Sequence, residues 1–401
     1  MKTQLIANSM ANPTLQFKAA MRASVLCALF MTGCATNSNR LSTSGQPVSA
    51  QGALAQAPAK DKVLIEYRSG LTALRQGNYA EATQMLDDAL LTVGGIVGTK
   101  DKAAKQSRRL FSEESKKTFI GEPYERCMAY FYRGIIYWMN GEPDNARACF
   151  RNAEFQDSDT ENKEYAGDYV LFDYLDGYIT SKYFGGDGSD ALKRAQADFK
   201  LGKLPEYNKN ANAMFFVEFG AGPSKYATGQ YSEELRIREG RSVVKGAWVK
   251  VDNKAVRIAP YDDLNFQATT RGGRIMDHIL ANKAVFKSST DNIGNVGIMS
   301  GAVLAGTQRG VGQEVGLGLL AAGVISKIVS SATTPSADTR AWDSLPQYIS
   351  FAALDLPVGP HTATVEFTDA YGNVISSLTK NINFSVSAGN DAVVFASDHN
   401  S

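Results

Sequence analysis

The sequence lacks the features that mark nucleic-acid binders, metal proteins and membrane-spanning proteins. It contains 42 Lys+Arg and 41 Asp+Glu, so its net charge is +1 and no basic excess indicates a nucleic-acid partner. Its three histidines lie far apart, and no two of its four cysteines are close enough in sequence to suggest a metal or cofactor site. The two most apolar segments, 23–31 and 294–331, contain no uninterrupted apolar run of the ~20 residues that a spanning helix needs.

The sequence also lacks the common catalytic motifs. It has no Gly-x-Ser-x-Gly elbow, no His-x-x-x-His metal pair and no cysteine with an evident histidine partner. These absences predict a protein that is not an enzyme. Catalysis by carboxylates is the alternative, because neighbouring acids such as Asp173 with Asp176, or Asp262 with Asp263, are candidates that only their spatial arrangement can decide.

The N-terminus has the pattern of an export signal. Two basic residues, Lys18 and Arg22, precede the apolar run 23–31, and Met31-Thr32-Gly33-Cys34 follows it. The last four residues resemble the lipobox of bacterial lipoproteins, which predicts a signal peptide at 1–33 and lipidation of Cys34. Several acyl chains on that cysteine would attach the protein stably to a membrane. Ala35 follows the cysteine, and the resemblance then implies an outer-membrane lipoprotein that faces the periplasm.

Residues 34–60 are rich in Ser, Asn, Gln, Ala and Gly, which predicts a flexible tether. A helical period begins at 61 and continues to 205. Small and large residues recur there in the order of the tetratricopeptide repeat (TPR), first from Gly70 to Ala89 and again from Gly134 to Ala153. This range is therefore expected to form a TPR-like helical domain, with a third helix pair between 165 and 200.

Short alternating segments with Gly and Asn turns predict an antiparallel, β-rich, sandwich-like domain over 206–401. A helical insertion is expected at 273–331, and its part from 294 onward is dense in Gly and Ala. Close-packed helices explain that density, and a membrane-inserting hairpin or an oligomer interface are the alternatives. The expected fold class is α+β, with N-terminal helical hairpins followed by a β-rich domain that carries Gly/Ala-rich packed helices.

Two cysteines remain for the folded body, Cys127 and Cys149. An oxidising periplasm would allow one disulfide bond between them, and two buried thiols are the equally simple alternative. A second local feature is the group Asp338, Arg340 and Trp342. It predicts an Arg–Asp pair beside a packed Trp at the entry to the C-terminal strands.

Three segments resemble a family of bacterial TPR-type outer-membrane lipoproteins. They are Gly121-Glu122-Pro123-Tyr124-Glu125-Arg126, the turn at 220–223 and the stretch 337–346. The resemblance covers the chain from about Asp61 onward. It implies an envelope protein without an established activity, associated with other lipoproteins thought to regulate peptidoglycan synthases.

These observations together predict a non-catalytic scaffold or adaptor. Its lipid would hold it to the membrane, and its helical hairpins would bind a periplasmic protein partner in cell-envelope assembly, with peptidoglycan synthesis as the candidate process. No cofactor, metal ion or nucleic acid is expected. The alternative is a structural subunit of an envelope or secretion machine that oligomerises through the Gly-rich helices, and the sequence allows a homo-oligomer in either case.

Overall fold

The computed structural model describes residues 50–98, 117–159, 165–230, 232, 234–270 and 337–399. The predicted signal peptide at 1–33, Cys34 and the predicted helical insertion at 273–331 lie outside the described residues. The described residues belong to one compact unit. Its first helix, α1 (Ala50–Gln56), occupies the end of the segment predicted to be a tether, so that segment is not irregular throughout.

Helices and antiparallel sheets confirm the predicted α+β class. Within the described residues, six further helices precede the first strand: α2 (Lys62–Arg75), α3 (Tyr79–Gly98), α4 (Pro123–Met139), α5 (Pro143–Asp157), α6 (Val170–Tyr183) and α7 (Ser189–Asp198). They pack as three consecutive pairs, α2 with α3, α4 with α5 and α6 with α7. The third pair is the one predicted between 165 and 200.

A glycine in the first helix of each pair lets the second helix approach closely. At Gly134 an added Cβ would lie 2.7 Å from Cε1 of Phe150, a distance that real contacts do not reach. Gly70 faces Leu86 and Gly177 faces Leu192 in the same way. Glycine in a helix interior costs about 0.5–1 kcal/mol relative to alanine, so close packing has to offset that cost.

The strands form two four-stranded sheets and a separate ribbon. The bounds are β1 (Ala213–Ala221), β2 (Ser224–Thr228), β3 (Glu234–Arg238), β4 (Gly246–Val251), β5 (Lys254–Ile258), β6 (Asp262–Asp263), β7 (Pro346–Leu354), β8 (Gly359–Thr368), β9 (Lys380–Val386) and β10 (Ala392–Ser397). Helix α8 (Leu264–Thr269) follows β6, and a short 3₁₀ helix (Ser376–Leu378) precedes β9. Sheet 1 has the order β10-β1-β7-β6, sheet 2 the order β5-β4-β8-β9, and β2 pairs with β3 in the ribbon.

Sheet 1 is buried on both faces. On β1, Met214 and Phe216 face the helices, whereas Phe215 and Val217 face sheet 2. The helices, sheet 1 and sheet 2 therefore lie in that order, with one apolar core on each side of sheet 1. The core between the helices and sheet 1 contains residues from both sides of position 205, where the helical and β-rich parts were expected to meet.

Two strand features differ from the expectation. Strand β7 was not predicted, because its residues are buried towards both cores and show no alternation of polar and apolar side chains. Strands β1 and β10 pair in parallel, so sheet 1 is mixed, whereas sheet 2 is antiparallel as expected.

A buried charged cluster, called here the Glu125 cluster, fastens the helices to the strands. The Glu125 carboxylate on α4 accepts a hydrogen bond from the backbone N–H of Glu122 at 2.6 Å, which caps the helix. It also accepts hydrogen bonds from Lys225 Nζ on β2 at 2.5 Å and from the Trp342 backbone N–H at 2.7 Å. One carboxylate thus joins the start of α4, the ribbon and the segment that leads into β7.

The predicted Arg–Asp pair lies beside this cluster. Arg340 donates to both carboxylate oxygens of Asp338, at 2.8 and 2.6 Å, and also to Asp61 at 2.6 Å. Trp342 is completely buried and stacks on Tyr67 of α2 with ring centroids 4.6 Å apart. The stretch 337–346 therefore connects the beginning of the helical layer with strand β7 of sheet 1.

We expect Glu125→Gln to lower the free energy of unfolding by about 3–5 kcal/mol, because the buried Lys225 ammonium loses the carboxylate at 2.5 Å and keeps only the more distant one of Glu122, at 3.7 Å. Urea unfolding followed by tryptophan fluorescence measures the change. Glu206→Gln is the matched control, because the Lys203–Glu206 pair is exposed and its loss should leave the transition in place. A loss below about 1 kcal/mol in Glu125→Gln would contradict a central role for this carboxylate.

Candidate functional site

The predicted lipidation site, Cys34, lies outside the described residues, so lipidation stays a prediction. Within the described ranges, no helix combines the length and apolar character that crossing a bilayer requires.

In the structure Cys127 and Cys149 are two separate buried thiols. The two residues lie on the paired helices α4 and α5. Cys127 Sγ donates to the carbonyl oxygen of Ala153 at 3.1 Å, which directs it along the helix interface. Burial raises the pKa of the Cys149 thiol to about 12, so this thiol remains protonated and is a poor nucleophile at neutral pH.

A charged cavity of about 310 Å³ lies between α5, α6 and α7. Helical geometry explains its lining, because residues three apart lie on one face of a helix. Arg151 and Glu154 are such a pair on α5, and Asp173 and Asp176 are another on α6. The complete lining is Arg151, Glu154, Gly167, Phe172, Asp173, Asp176 and Arg194.

Most charges at this cavity are paired. Arg194 of α7 donates to both carboxylate oxygens of Asp173, at 2.9 and 2.5 Å. Arg147, one turn before Arg151 on α5, donates to Asp176 at 2.5 Å. These bonds hold α6 against both α5 and α7, and they compensate the charge of the two aspartates that line the cavity.

Glu154 differs from its neighbours because its Oε1 atom is buried without a hydrogen-bond partner, although part of the residue remains exposed. Desolvation by burial raises the pKa of Glu154 well above its usual range. Nearby carboxylates raise it further: Asp173, Asp157, Asp262 and Asp168. Both effects favour the protonated form of this carboxyl.

A second row of acids behind the cavity is held mainly by backbone donors. Asp262 of β6 accepts the N–H groups of Val170 and Leu171, both at 2.9 Å, at the start of α6. Asp157 accepts the N–H of Gly167 at 2.8 Å. Burial raises the pKa of Asp262 to about 7, against the lowering effect of its two backbone hydrogen bonds. Strand β6 thereby fixes the N-terminus of the helix that forms one wall of the cavity.

The structure brings together only part of the acid pairs that the sequence offered for catalysis. Asp173 and Asp176 line the cavity and Asp262 lies behind it, whereas Asp263 caps α8 by accepting the N–H of Asn265 at 2.9 Å. Because guanidinium or backbone groups hold these four carboxylates, the arrangement suits binding better than proton transfer. In the part of the chain that the structure describes, no group of His, Cys, Asp and Glu is arranged to hold a metal ion.

The sequence did not single out Arg151, Glu154 or Arg194. Their separation in sequence from the acids around them hides the arrangement, because Glu154 lies more than one hundred residues before Asp262. The available signal was the repetition of charged residues three apart on two helices of neighbouring pairs. That signal marks a charged face and does not show that two such faces meet.

We expect stability to fall between about pH 4 and pH 7, because Asp262 loses its proton more readily in the unfolded chain than in the buried site. The penalty is absent below the usual aspartate pKa and complete above the folded value of about 7. Asparagine does not ionise, so Asp262→Asn lacks this pH-dependent penalty. The variant should therefore gain stability relative to wild type as pH rises from about 4 to about 7. Thermal unfolding at several pH values measures the difference.

The exposed Asp190 on α7 supplies the control, and Asp190→Asn should follow the wild-type pH profile. Asp262→Asn also removes one of the two acceptor oxygens at the start of α6, which costs about 1 kcal/mol at every pH. Parallel profiles for wild type and Asp262→Asn would contradict the assignment of this pH dependence to Asp262.

Comparison of the chain with family models, with curated proteins and with solved structures gives no match. The function therefore has to be argued from the residues and their arrangement.

Proposed function

We propose that this protein is a scaffold lipoprotein that is anchored through Cys34 to the periplasmic face of the outer membrane and binds a protein partner in cell-envelope assembly. The observation that carries the proposal is the charged cavity between two successive helix pairs, on a helical layer that sheet 1 supports from behind. Such a surface recognises a partner by shape and charge and needs no reactive group. We infer peptidoglycan synthesis as the candidate process from the family resemblance alone.

The helix pairs support a TPR-like reading of this layer. Gly70 and Gly134 occupy equivalent contact positions in their pairs. In each pair a fully buried alanine follows the glycine by twelve residues and another follows seven residues later: Ala82 and Ala89, Ala146 and Ala153. This spacing agrees with the tetratricopeptide template, whose repeats commonly hold peptides or proteins.

The strands support the idea of a rigid body. We infer a sandwich-like arrangement from the apolar core between sheets 1 and 2, to which residues such as Phe215, Val249 and Phe367 contribute. Because sheet 1 also shares a core with the helices, partner binding at the helical layer would not require the layers to move independently. This rigidity suits a protein that positions another one.

The membrane anchor can be tested with Cys34→Ala. We expect the wild-type protein to lose residues 1–33, to gain the mass of a diacylglycerol and an N-acyl chain, and to follow the outer-membrane fraction, because several acyl chains anchor stably. The Cys34→Ala protein should be soluble in the periplasm. Intact-mass measurement and fractionation of both proteins give the answer. Membrane association of an unlipidated chain would overturn the proposal and favour an anchor in the Gly-rich segment.

Partner binding can be tested by photo-cross-linking in living cells. A photoreactive phenylalanine analogue at Phe155, which is 65% exposed on α5 next to Glu154, should yield a specific cross-linked protein. Tyr371, 91% exposed in the turn between β8 and β9, provides the control position. Cross-linking at Phe155 and not at Tyr371 is the expected result. Equal products at both positions, or none at either, would contradict binding at the helical layer.

A further inference from the structure

Two charged groups of the cavity are left without a partner among the described residues. Asp173, Asp176 and Arg194 form the ion pairs given above, whereas neither the Glu154 carboxyl nor the Arg151 guanidinium makes an ion pair or hydrogen bond. Arg151 is exposed, so water solvates it and salt screens its charge. The Oε1 atom of Glu154 is sealed from water, and a buried polar atom without a hydrogen bond is destabilising. Among the residues that line the cavity, Glu154 is therefore the one whose buried oxygen lacks a hydrogen-bond donor.

The charges around Glu154 indicate which kind of ligand group would bind to its carboxyl. The groups that face it are acidic in majority, and they come from every element packed around the carboxyl: Asp157 and Arg151 on α5, Asp168 before α6, Asp173 and Asp176 on α6, Arg194 on α7 and Asp262 on β6. Arg194 and Asp173 neutralise each other, and so do Arg147 and Asp176. Asp157, Asp168 and Asp262 are then set against Arg151 alone, and this acidic majority favours a cation that donates hydrogen bonds to the Glu154 carboxyl.

The shape of the cavity favours an ammonium group on an alkyl chain. The volume of about 310 Å³ accepts a slender chain, and the buried Phe172 ring provides an apolar wall for its methylene groups. An ammonium is compact and has three donors, so one group can reach Glu154 and a neighbouring aspartate together. A metal ion is a poorer candidate, because the acids in the described part of the chain do not converge on one point.

We propose that this cavity binds the primary ammonium group of a lysine side chain on the protein partner, with Glu154 as its principal acceptor and Phe172 beside its alkyl stem. The proposal rests on the proposed partner-binding function and gives it a chemical specificity. It assigns to Glu154 the role of a binding residue, and to Asp173 and Asp176, through their ion pairs with Arg194 and Arg147, the role of holding the cavity walls in place.

Binding of the ammonium should release a proton. Burial and the surrounding carboxylates raise the pKa of Glu154 and favour its protonated form, whereas a cation at hydrogen-bond distance favours the ionised form. Affinity should therefore rise with pH until Glu154 is ionised in the empty cavity as well. A site that bound the alkyl chain alone would show neither the proton release nor this direction of pH dependence.

The experiment is calorimetric titration of the full-length protein in neutral detergent with Nα-acetyl-lysine methylamide, whose only charge is the side-chain ammonium. Nα-acetyl-norleucine methylamide has the same stem without the ammonium and is the control ligand. Titrations in phosphate and in HEPES, which differ in ionisation enthalpy and carry no primary ammonium group, give the number of protons released. We expect the lysine derivative to bind with net proton release and the norleucine derivative to bind at least about tenfold more weakly.

Two variants complete the test. Glu154→Gln keeps the side-chain shape and should weaken the lysine derivative about tenfold or more and abolish proton release. Asp144→Asn removes an exposed acid from the first turn of α5, away from the cavity lining, and should behave as wild type. The proton count of the wild-type protein is decisive even if Glu154→Gln folds poorly.

Equal binding of the two ligands, wild-type affinity in a folded Glu154→Gln protein, or binding without proton release would each overturn the proposal. These outcomes are separable from failure of the proposed function. A partner cross-linked at Phe155 together with no binding of the lysine derivative would refute only the lysine site. Lysine binding without any cross-linked partner would refute the scaffold function and leave a small-molecule ammonium site.

Discussion

The arrangement of the whole molecule depends on one buried carboxylate, that of Glu125. It receives three donors: the Glu122 N–H that caps α4 and, from distant parts of the chain, Lys225 of the ribbon and the backbone N–H of Trp342 before β7. Lys225 is almost completely buried and the Glu125 side chain is completely so, and an ion pair of this kind is tolerated only when its geometry satisfies both partners. This junction determines how the helical layer packs against the strands.

Asp262 makes a second junction at the other side of the helical layer. Glu125 acts at the start of α4 and Asp262 at the start of α6, so two carboxylates fix the N-termini of two helices that lie in successive pairs. The charged cavity lies between these fixed helices and their partners. Since the apolar core continues beneath it into sheet 1, the cavity walls have little freedom to collapse. The same polar bonds that join the layers thus preserve an open, charged space in the helical layer.

Local patterns in the sequence predicted those parts of the fold whose signal is local. Helical period and small residues predicted the pairs around Gly70 and Gly134, and alternation with Gly and Asn turns predicted strands within 206–401. Strand β7 was missed because both of its faces are buried. The Asp338–Arg340 pair was predictable because its members are two residues apart, whereas Lys225 meets Glu125 across one hundred residues. The candidate site was not predicted, because its carboxylates come from four separate parts of the chain.

The main physical argument that the cavity binds a ligand comes from the hydrogen bonds that buried carboxylates receive or lack. Glu125 has three donors, Asp262 has two backbone donors, and Asp173 accepts from two nitrogens of one guanidinium. The Oε1 atom of Glu154 is buried without a hydrogen bond, as are Oε2 of Glu66 and Oδ1 of Asp398. Of these three acids Glu154 lines the cavity, where other acids oppose its ionisation. A buried oxygen without a hydrogen bond lowers stability. Departures of this kind concentrate at binding sites, because a ligand supplies the bond that the fold omits.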